Sequence, residues 1–350
     1  MKKLLFAFFP IVLLGAGCFG GASGTSGNDA GVFKTTDAGQ QWSQMVLVPT
    51  AKGIGTLATT NILSLTMDPQ DTNYLYASTR NNGMLFTEDG ALSWRQPKQK
   101  ILNTGTVYDV AVDPKDVCTV YIVTERKLVG TTDCFRSLNE ELYLENRGDA
   151  TISQVNVDWF NTNTLWIGLS NGDVLKSENR GGDWRTIKKI GKEISQIIIS
   201  NTDSRMILVS SFNGGIERTA DGGETWEKVE FPKGTRSGEI VYNLTQNPDA
   251  SVVIASTQHG LLRSNDFGKT WEQIQLLTAP GEAVIRSAAI DPKDSNVLYY
   301  ATPGSFYRSI DGGLTWKTQK LPSAREARAM LVDPTNSSVL YIGEAVPVQK

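Results

Sequence analysis

Short runs of alternating or continuous apolar residues recur along this chain, each cut by a polar turn. Ile62-Leu63-Ser64-Leu65-Thr66-Met67 alternates, Asp68-Pro69 breaks it, and Tyr74-Leu75-Tyr76-Ala77 begins a second run. The order returns as Asp113-Pro114 before Val120-Tyr121-Ile122-Val123, Asp158 before Leu165-Trp166-Ile167-Gly168, and Ser200 before Met206-Ile207-Leu208-Val209. It returns again as Asn247-Pro248 before Val252-Val253-Ile254-Ala255, Asp291-Pro292 before Val297-Leu298-Tyr299-Tyr300, and Asp333-Pro334 before Val339-Leu340-Tyr341-Ile342. Runs this short, bounded by turn formers, read as β-strands. The run before each turn predicts an inner strand, and the run after it a second one.

A second motif interleaves with the first. Ser309-Ile310-Asp311-Gly312-Gly313-Leu314-Thr315-Trp316 reads S-x-D-x-G-x-T-W. Its Asp side chain can accept backbone N–H groups of its own turn, its Gly takes positive φ without strain, and its Trp offers a large face for burial. Copies stand at Thr35/Asp37/Gly39/Trp42, Thr219/Asp221/Gly223/Trp226 and Ser264/Asp266/Gly268/Trp271. Three more are degenerate: Thr87/Asp89/Trp94 has Ala91 for Gly, Thr131/Asp133 has Phe135 and Leu138 for Gly and Trp, and Ser177/Asn179/Gly181/Trp184 has Asn for Asp. The acidic position thus falls at Asp37, Asp89, Asp133, Asn179, Asp221, Asp266 and Asp311, a period mostly in the forties. That period, built from short strands, is the mark of a β-propeller with four strands per blade. The chain begins with a box half (31–48) and ends with an Asp-Pro half (328–345). Two strands from each terminus then complete one blade and leave no open edge. The expectation is an all-β chain forming one seven-bladed β-propeller over 31–346.

Composition narrows the chemistry. Net charge is −3 over 350 residues, without the basic excess of a nucleic-acid binder. The single histidine, His259, excludes sites that need several, and it sits in a loop, Thr257-Gln258-His259-Gly260. No phosphate loop, hydrolase elbow or metal-ligand spacing occurs, so no cofactor and no metal is expected. At the N-terminus, Lys2 and Lys3 precede an apolar run over 4–14, too short to remain as a spanning helix. Leu14-Gly15-Ala16-Gly17-Cys18 follows. It resembles the lipobox of bacterial lipoproteins, with one extra small residue. That resemblance implies a signal peptide over 1–17, a lipidated Cys18, and an extracytoplasmic chain on a membrane. Residues 18–30 then read as a Gly/Ser-rich tether and 347–350 as a tail.

The boxes resemble those of the sialidase-type Asp-box propeller superfamily over nearly the whole chain after the signal. Seven blades, an export signal and this length look like the photosystem II stability/assembly factors. The Asp-Pro halves also resemble blades of xyloglucanases and sortilin-type receptors. The boxes are common to all of these, so the resemblance speaks for fold more than for function.

In such a blade the Asp-Pro turns and the boxes share one face, towards the periphery. The second-to-third loops and the crossovers share the other, around the channel mouth. The seven box residues therefore read as structural staples. Cys118 and Cys134 fall in two turns of one blade, on the same face, and the box that holds Cys134 has lost Gly and Trp. A disulfide replacing the missing staple is expected. The channel face would carry Arg80, Arg126, Arg147, Arg236, Arg286, Arg325 and Arg328, interspersed with acids that include Glu193 and Glu239. Guanidinium groups on such a face can clamp carboxylates.

An enzymatic reading has less to stand on. The resemblance to sialidases implies an Arg-Ile-Pro near the start, which is absent, and a Tyr–Glu pair, to which Tyr242 and Glu239 come nearest. Xyloglucanases work in a cleft between two propellers, and one is expected here. No catalytic residue is assigned. The reading is a lipid-anchored, non-catalytic scaffold that binds a protein or peptide partner of the cell envelope through its channel face. A carbohydrate-active or glycan-binding propeller is the alternative.

Overall fold

The computed structural model describes residues 27–346 except 140, 234, 236–239 and 280. The signal segment, Cys18, most of the tether, Arg236, Glu239 and the tail 347–350 lie outside the described residues. The fold is all-β apart from one short helix, Lys100–Asn103. Five antiparallel sheets have four strands each. A sixth sheet has seven, because Asn82–Thr87 pairs in parallel with Gly105–Asp113 and so joins two repeat units. The sheet holding both chain ends is ordered Ser43–Gln44, Gly31–Thr35, Leu340–Ala345, Glu326–Val332.

The first strand of each repeat packs on the first strand of the next. Ile62–Met67 touches Gly105–Asp113, which touches Ile152–Val157, then Ile194–Ile199, Val241–Gln246, Ala288–Ile290 and Glu326–Val332, and the last returns to Ile62–Met67. Between the sheets lie separate apolar clusters, one of which brings Val32, Leu57, Ile62, Leu75 and Trp94 together. Second strands such as Leu165–Leu169 and Val253–Thr257 are buried along their whole length, which explains why they read as continuous apolar runs.

Both turn motifs work as hydrogen-bonding devices. At the Asp-Pro turns the first side chain accepts N–H groups from its own turn, as with Asp68 and Gln70 (2.7 Å), Asp291 and Lys293 (2.8 Å) and Asp333 and Thr335 (2.8 Å). In the boxes the buried hydroxyl of Thr35 donates to Asp37 Oδ1 (2.7 Å) and accepts the N–H of Gly39 (3.0 Å), while Asp37 accepts the N–H of Gln41 (2.9 Å). The same three bonds recur in the degenerate boxes, from Thr87 and Asp89, from Thr131 and Asp133, and from Ser177 and Asn179.

The expectation that the box of Thr131 has lost its staple is therefore corrected. Thr131 Oγ1 donates to Asp133 Oδ1 at 2.9 Å, and Asp133 accepts from Ser137. What changed is the packing. At Gly39 an added Cβ would collide with the Phe306 ring of the neighbouring sheet, so glycine is required there. At the equivalent position Phe135 takes a positive φ of 64° and turns its own ring towards the neighbouring repeat, 5.4 Å from Phe86 and 6.1 Å from Tyr76. Aromatic bulk has moved from neighbour to box, at a cost in backbone strain. Cys118 and Cys134 form a disulfide beside this box, with Cα atoms 4.2 Å apart. The Cys134 N–H also donates to the Cys118 carbonyl, the bond that joins Gly90 to Asn73 and Gly312 to Asn296 in other repeats. The disulfide thus reinforces an intact turn.

A second correction concerns the Asp-Pro turns. They do not all lie at the periphery, because Pro69, Pro114 and Trp159 line the central channel. The hairpin Leu47–Thr50 with Gly53–Thr56 was also not anticipated.

The seam between the termini holds a buried charge cluster. Arg325 Nε donates to Asp29 Oδ1 at 2.7 Å. Glu344, 1% exposed, has an oxygen without a hydrogen-bond partner, and burial pushes its carboxyl up to about 8, helped by Asp29 and opposed by Arg325.

Two predictions follow from these contacts. Replacing both Cys118 and Cys134 by Ser is expected to lower stability by about 3 kcal/mol, the chain-entropy value for a loop of this length. Amide exchange should accelerate at Phe135 and Ser137 first, and an unchanged melting temperature with unchanged exchange would refute the reinforcing role. For Glu344, the folded-state value stands above the unfolded one, so its contribution is intact below about pH 4 and declines as pH rises towards 8. Glu344→Gln should flatten that decline, measured as the urea midpoint between pH 5 and 8.

Candidate functional site

A channel of about 820 Å³ runs between the inner strands. Its lining follows from a feature repeated in six of them. The register slips by one residue between Ile62 and Ser64, Val107 and Asp109, Ile152 and Gln154, Ile194 and Gln196, Val241 and Asn243, and Ala327 and Ala329. A bulge of this kind re-aims the extra side chain. The extra residues are Leu63, Tyr108, Ser153, Ser195, Tyr242 and Arg328, and all six line the channel. The residues just after them (Ser64, Asp109, Gln154, Gln196, Asn243 and Ala329) line it as well.

At the mouth away from the boxes, three arginines converge. Arg328 comes from a bulge, Arg80 from the turn after Leu75–Thr79, and Arg286 from the crossover before Ala288–Ile290. Arg286 is held on two sides. Its guanidinium lies 4.4 Å from the centre of the Tyr242 ring, and its Nε donates to Glu326 Oε2 at 3.0 Å. Among the described residues no carboxylate forms an ion pair with Arg80 or Arg328. Burial pushes the Arg328 guanidinium down from its usual range, with Arg286 and Arg80 adding to the effect and Glu326 opposing it. Tyr108, Glu193, Phe212 and Tyr242 complete this mouth. The result is a concave, positively charged pocket with aromatic walls, suited to an anionic group.

The remaining sequence candidates lie elsewhere. Arg147 is clamped by two buried acids, with its Nη2 donating to Glu145 Oε2 at 2.7 Å and its Nη1 to Asp173 Oδ2 at 2.5 Å. Those bonds, the Arg147 contact foremost, hold the Glu145 carboxyl down at about 2. Arg126 donates to the Arg147 carbonyl, and Arg325 is buried on Asp29. Arg236 lies outside the described residues. The seven box residues form their own turns, as described above. Sequence reasoning missed Tyr108, Asp109 and Phe212. Aligning the inner strands on their second and third residues would have brought out the first two.

Asp109 is unusual in this layer. Its carboxylate accepts the Val155 N–H at 3.1 Å, and burial pushes it up to about 7 against the pull of that bond.

Comparisons with known proteins agree on the architecture. The family described as Photosynthesis system II assembly factor YCF48 matches residues 196–328. Xyloglucanase Xgh74A of Acetivibrio thermocellus is 29% identical over 249 residues, 58% of this chain and 29% of that protein. The chain therefore spans less than a third of the length of this relative. Among solved structures, the GH74 xyloglucanase of Xanthomonas campestris superimposes with a TM-score of 0.66 at 16% identity, over 82% of this chain and 51% of its own. YCF48 from Cyanidioschyzon merolae gives 0.62 at 15% identity, over 81% and 95%. A structure titled YCF48 bound to D1 peptide gives 0.61 at 18%, over 82% and 94%. At such identities the likeness is one of fold: the chain resembles BNR-type β-propellers, the photosystem II assembly factor YCF48 among them.

Proposed function

We propose that this chain is a seven-bladed β-propeller, tethered outside the cytoplasm by a lipidated Cys18, that binds an acidic segment of a partner protein at its arginine mouth. One observation carries the reading: Arg80, Arg286 and Arg328 meet at one end of the channel, and two of them have no carboxylate partner among the described residues. Guanidinium groups not engaged in an ion pair favour a carboxylate ligand, and Arg286 is pre-oriented by Tyr242 and Glu326. The cyclic packing of the inner strands and the sheet shared by both termini support seven-blade closure. The fold likeness to a YCF48 structure bound to a peptide supports peptide binding as the mode. The lipobox-like stretch before Cys18 supports the anchor.

A glycan-binding or glycan-cleaving role is the second reading, favoured by the sequence likeness to a xyloglucanase. An assay of xyloglucan hydrolysis by the purified chain separates the two, with no reducing ends released if the scaffold reading holds.

The binding reading predicts specific losses. An N-acetylated, C-amidated pentaglutamate peptide should bind the wild-type chain and weaken as salt rises. Arg80→Ala with Arg328→Ala should weaken it about tenfold or more. Arg126→Ala should leave affinity unchanged. Equal affinity across all three proteins, read by calorimetry, would sink the proposal. For the anchor, Cys18→Ser should move the chain from the membrane fraction to the soluble one on fractionation.

A further inference from the structure

The channel that opens at the arginine mouth has an acid in its wall, Asp109. Six inner strands carry a bulge, and the residue after the bulge lines the channel in each. At that place the strands carry Ser64, Gln154, Gln196, Asn243 and Ala329, all neutral, and the sole acid is Asp109. The neutral groups are largely satisfied from neighbouring strands: Ser64 bonds to Ser78 at 2.8 Å, and Asn243 donates to Gln196 at 3.2 Å. Asp109 takes its own bond across the sheet boundary, from the Val155 N–H of the next repeat.

Its surroundings supply no counter-charge. Of the elements packed against its strand, Ile62–Met67, Asn82–Thr87 and Ile152–Val157 carry no ionisable side chain. Leu75–Thr79 contributes Tyr76 and Asp116–Thr124 contributes Tyr121, both buried in apolar clusters. Asp116 caps its own turn through the Cys118 N–H, and Lys100 on the short helix is exposed. The other charged and titratable groups lining the channel are Arg80, Arg286, Arg328, Glu193, Tyr242 and, next to Asp109 on its own strand, Tyr108, and among the described residues no base forms an ion pair with Asp109.

We propose that Asp109 makes anion capture at the arginine mouth proton-linked, so that an acidic ligand binds with uptake of one solvent proton by the Asp109 carboxylate. This rests on the binding reading above and adds its regulation. An ionised Asp109 sets a negative charge in the wall of the channel that receives the ligand, in a medium where screening is weak. Protonation turns it into a neutral hydrogen-bonding acid and takes one negative charge out of the channel, leaving Glu193 and the Arg286-paired Glu326 as the acids at the mouth. Burial already places the carboxyl near neutrality, where a ligand's charge tips it towards the protonated form. By linkage, affinity then rises as pH falls through that range.

The test is calorimetry of the full chain after the signal with the acetylated, amidated pentaglutamate peptide, whose carboxylates stay ionised between pH 6 and 8. Binding by the wild-type chain should be about threefold or more tighter at pH 6 than at pH 8. At neutral pH, buffers of different ionisation heat should report proton uptake. Asp109→Asn should bind equally at both pH values, with the affinity of the wild-type chain at pH 6. Asp109→Ser, which installs the residue that Ile62–Met67 carries at this place, should do the same. Wild-type binding without pH dependence, or a slope that persists in both variants, overturns the proton link alone. Absence of binding at every pH overturns the mouth reading and the link with it.

Discussion

One buried hydroxyl per repeat holds the outer part of this structure in place. The hydroxyls of Thr35, Thr87, Thr131, Ser177, Thr219, Ser264 and Ser309 are each at most 1% exposed, and each bonds in two directions, donating to the acidic residue two positions on and accepting an N–H four positions on. A buried hydroxyl with both roles filled avoids the desolvation penalty that a half-satisfied one would carry. The geometry forces two successive residues into the left-handed region, as at Cys134 (φ 55°) and Phe135 (φ 64°). It also aims an aromatic side chain across the gap between sheets. Trp94 Nε1 donates to the Met45 carbonyl and Trp316 Nε1 to that of Gln275, both on the preceding sheet. Local turn chemistry and packing between sheets are thus one device, which is why the turn survives where the consensus does not.

With the periphery fixed in this way, the inner strands are free to differ. Their bulges give six of the repeats one extra channel-facing position, and the chain fills those positions with leucine, tyrosine, serine and arginine. A ring of equivalent backbone positions carrying unequal side chains is how a repetitive fold acquires a single site. The asymmetry is electrostatic, with arginines gathered at one mouth, and prolines and Trp159 at the other.

What the sequence revealed and what it hid divide along this line. The boxes were legible because their bonds join residues no more than four apart, so each copy announces itself. The Cys118–Cys134 pairing was legible once those turns were placed on one face of one repeat. The arginine cluster was only half legible. Arg80, Arg286 and Arg328 are far apart in the chain, and nothing local separates them from Arg126, Arg147 and Arg325, which look alike in composition and end up committed elsewhere. For Arg147 a cue existed two residues away in Glu145, a spacing that allows the bidentate contact seen here. Phe135 misled because it was read as a lost glycine, when its ring supplies the bulk that the neighbouring sheet supplies in other repeats.

Asp109 and Glu344 make a further physical point. Both are buried carboxyls without an ion-paired base among the described residues, and in both burial outweighs the stabilising contacts, so each is driven towards its neutral form. The box acids go the other way. Half-buried and bonded to hydroxyl and N–H donors, Asp133 and Asp311 are held down at about 2. Acid below pH 4 therefore loosens the periphery, whereas a rise from about pH 4 towards 7 strains the channel wall, and towards 8 the seam. Two pH ranges thus act on different layers, and the layer that responds near neutrality lines the same channel as the arginines. A proton taken up there costs the staples nothing, since their carboxylates are already fully charged. The titrating group in the channel still enters the folding equilibrium, because its carboxyl stands higher folded than unfolded, but it does so in a pH range separate from that of the rim.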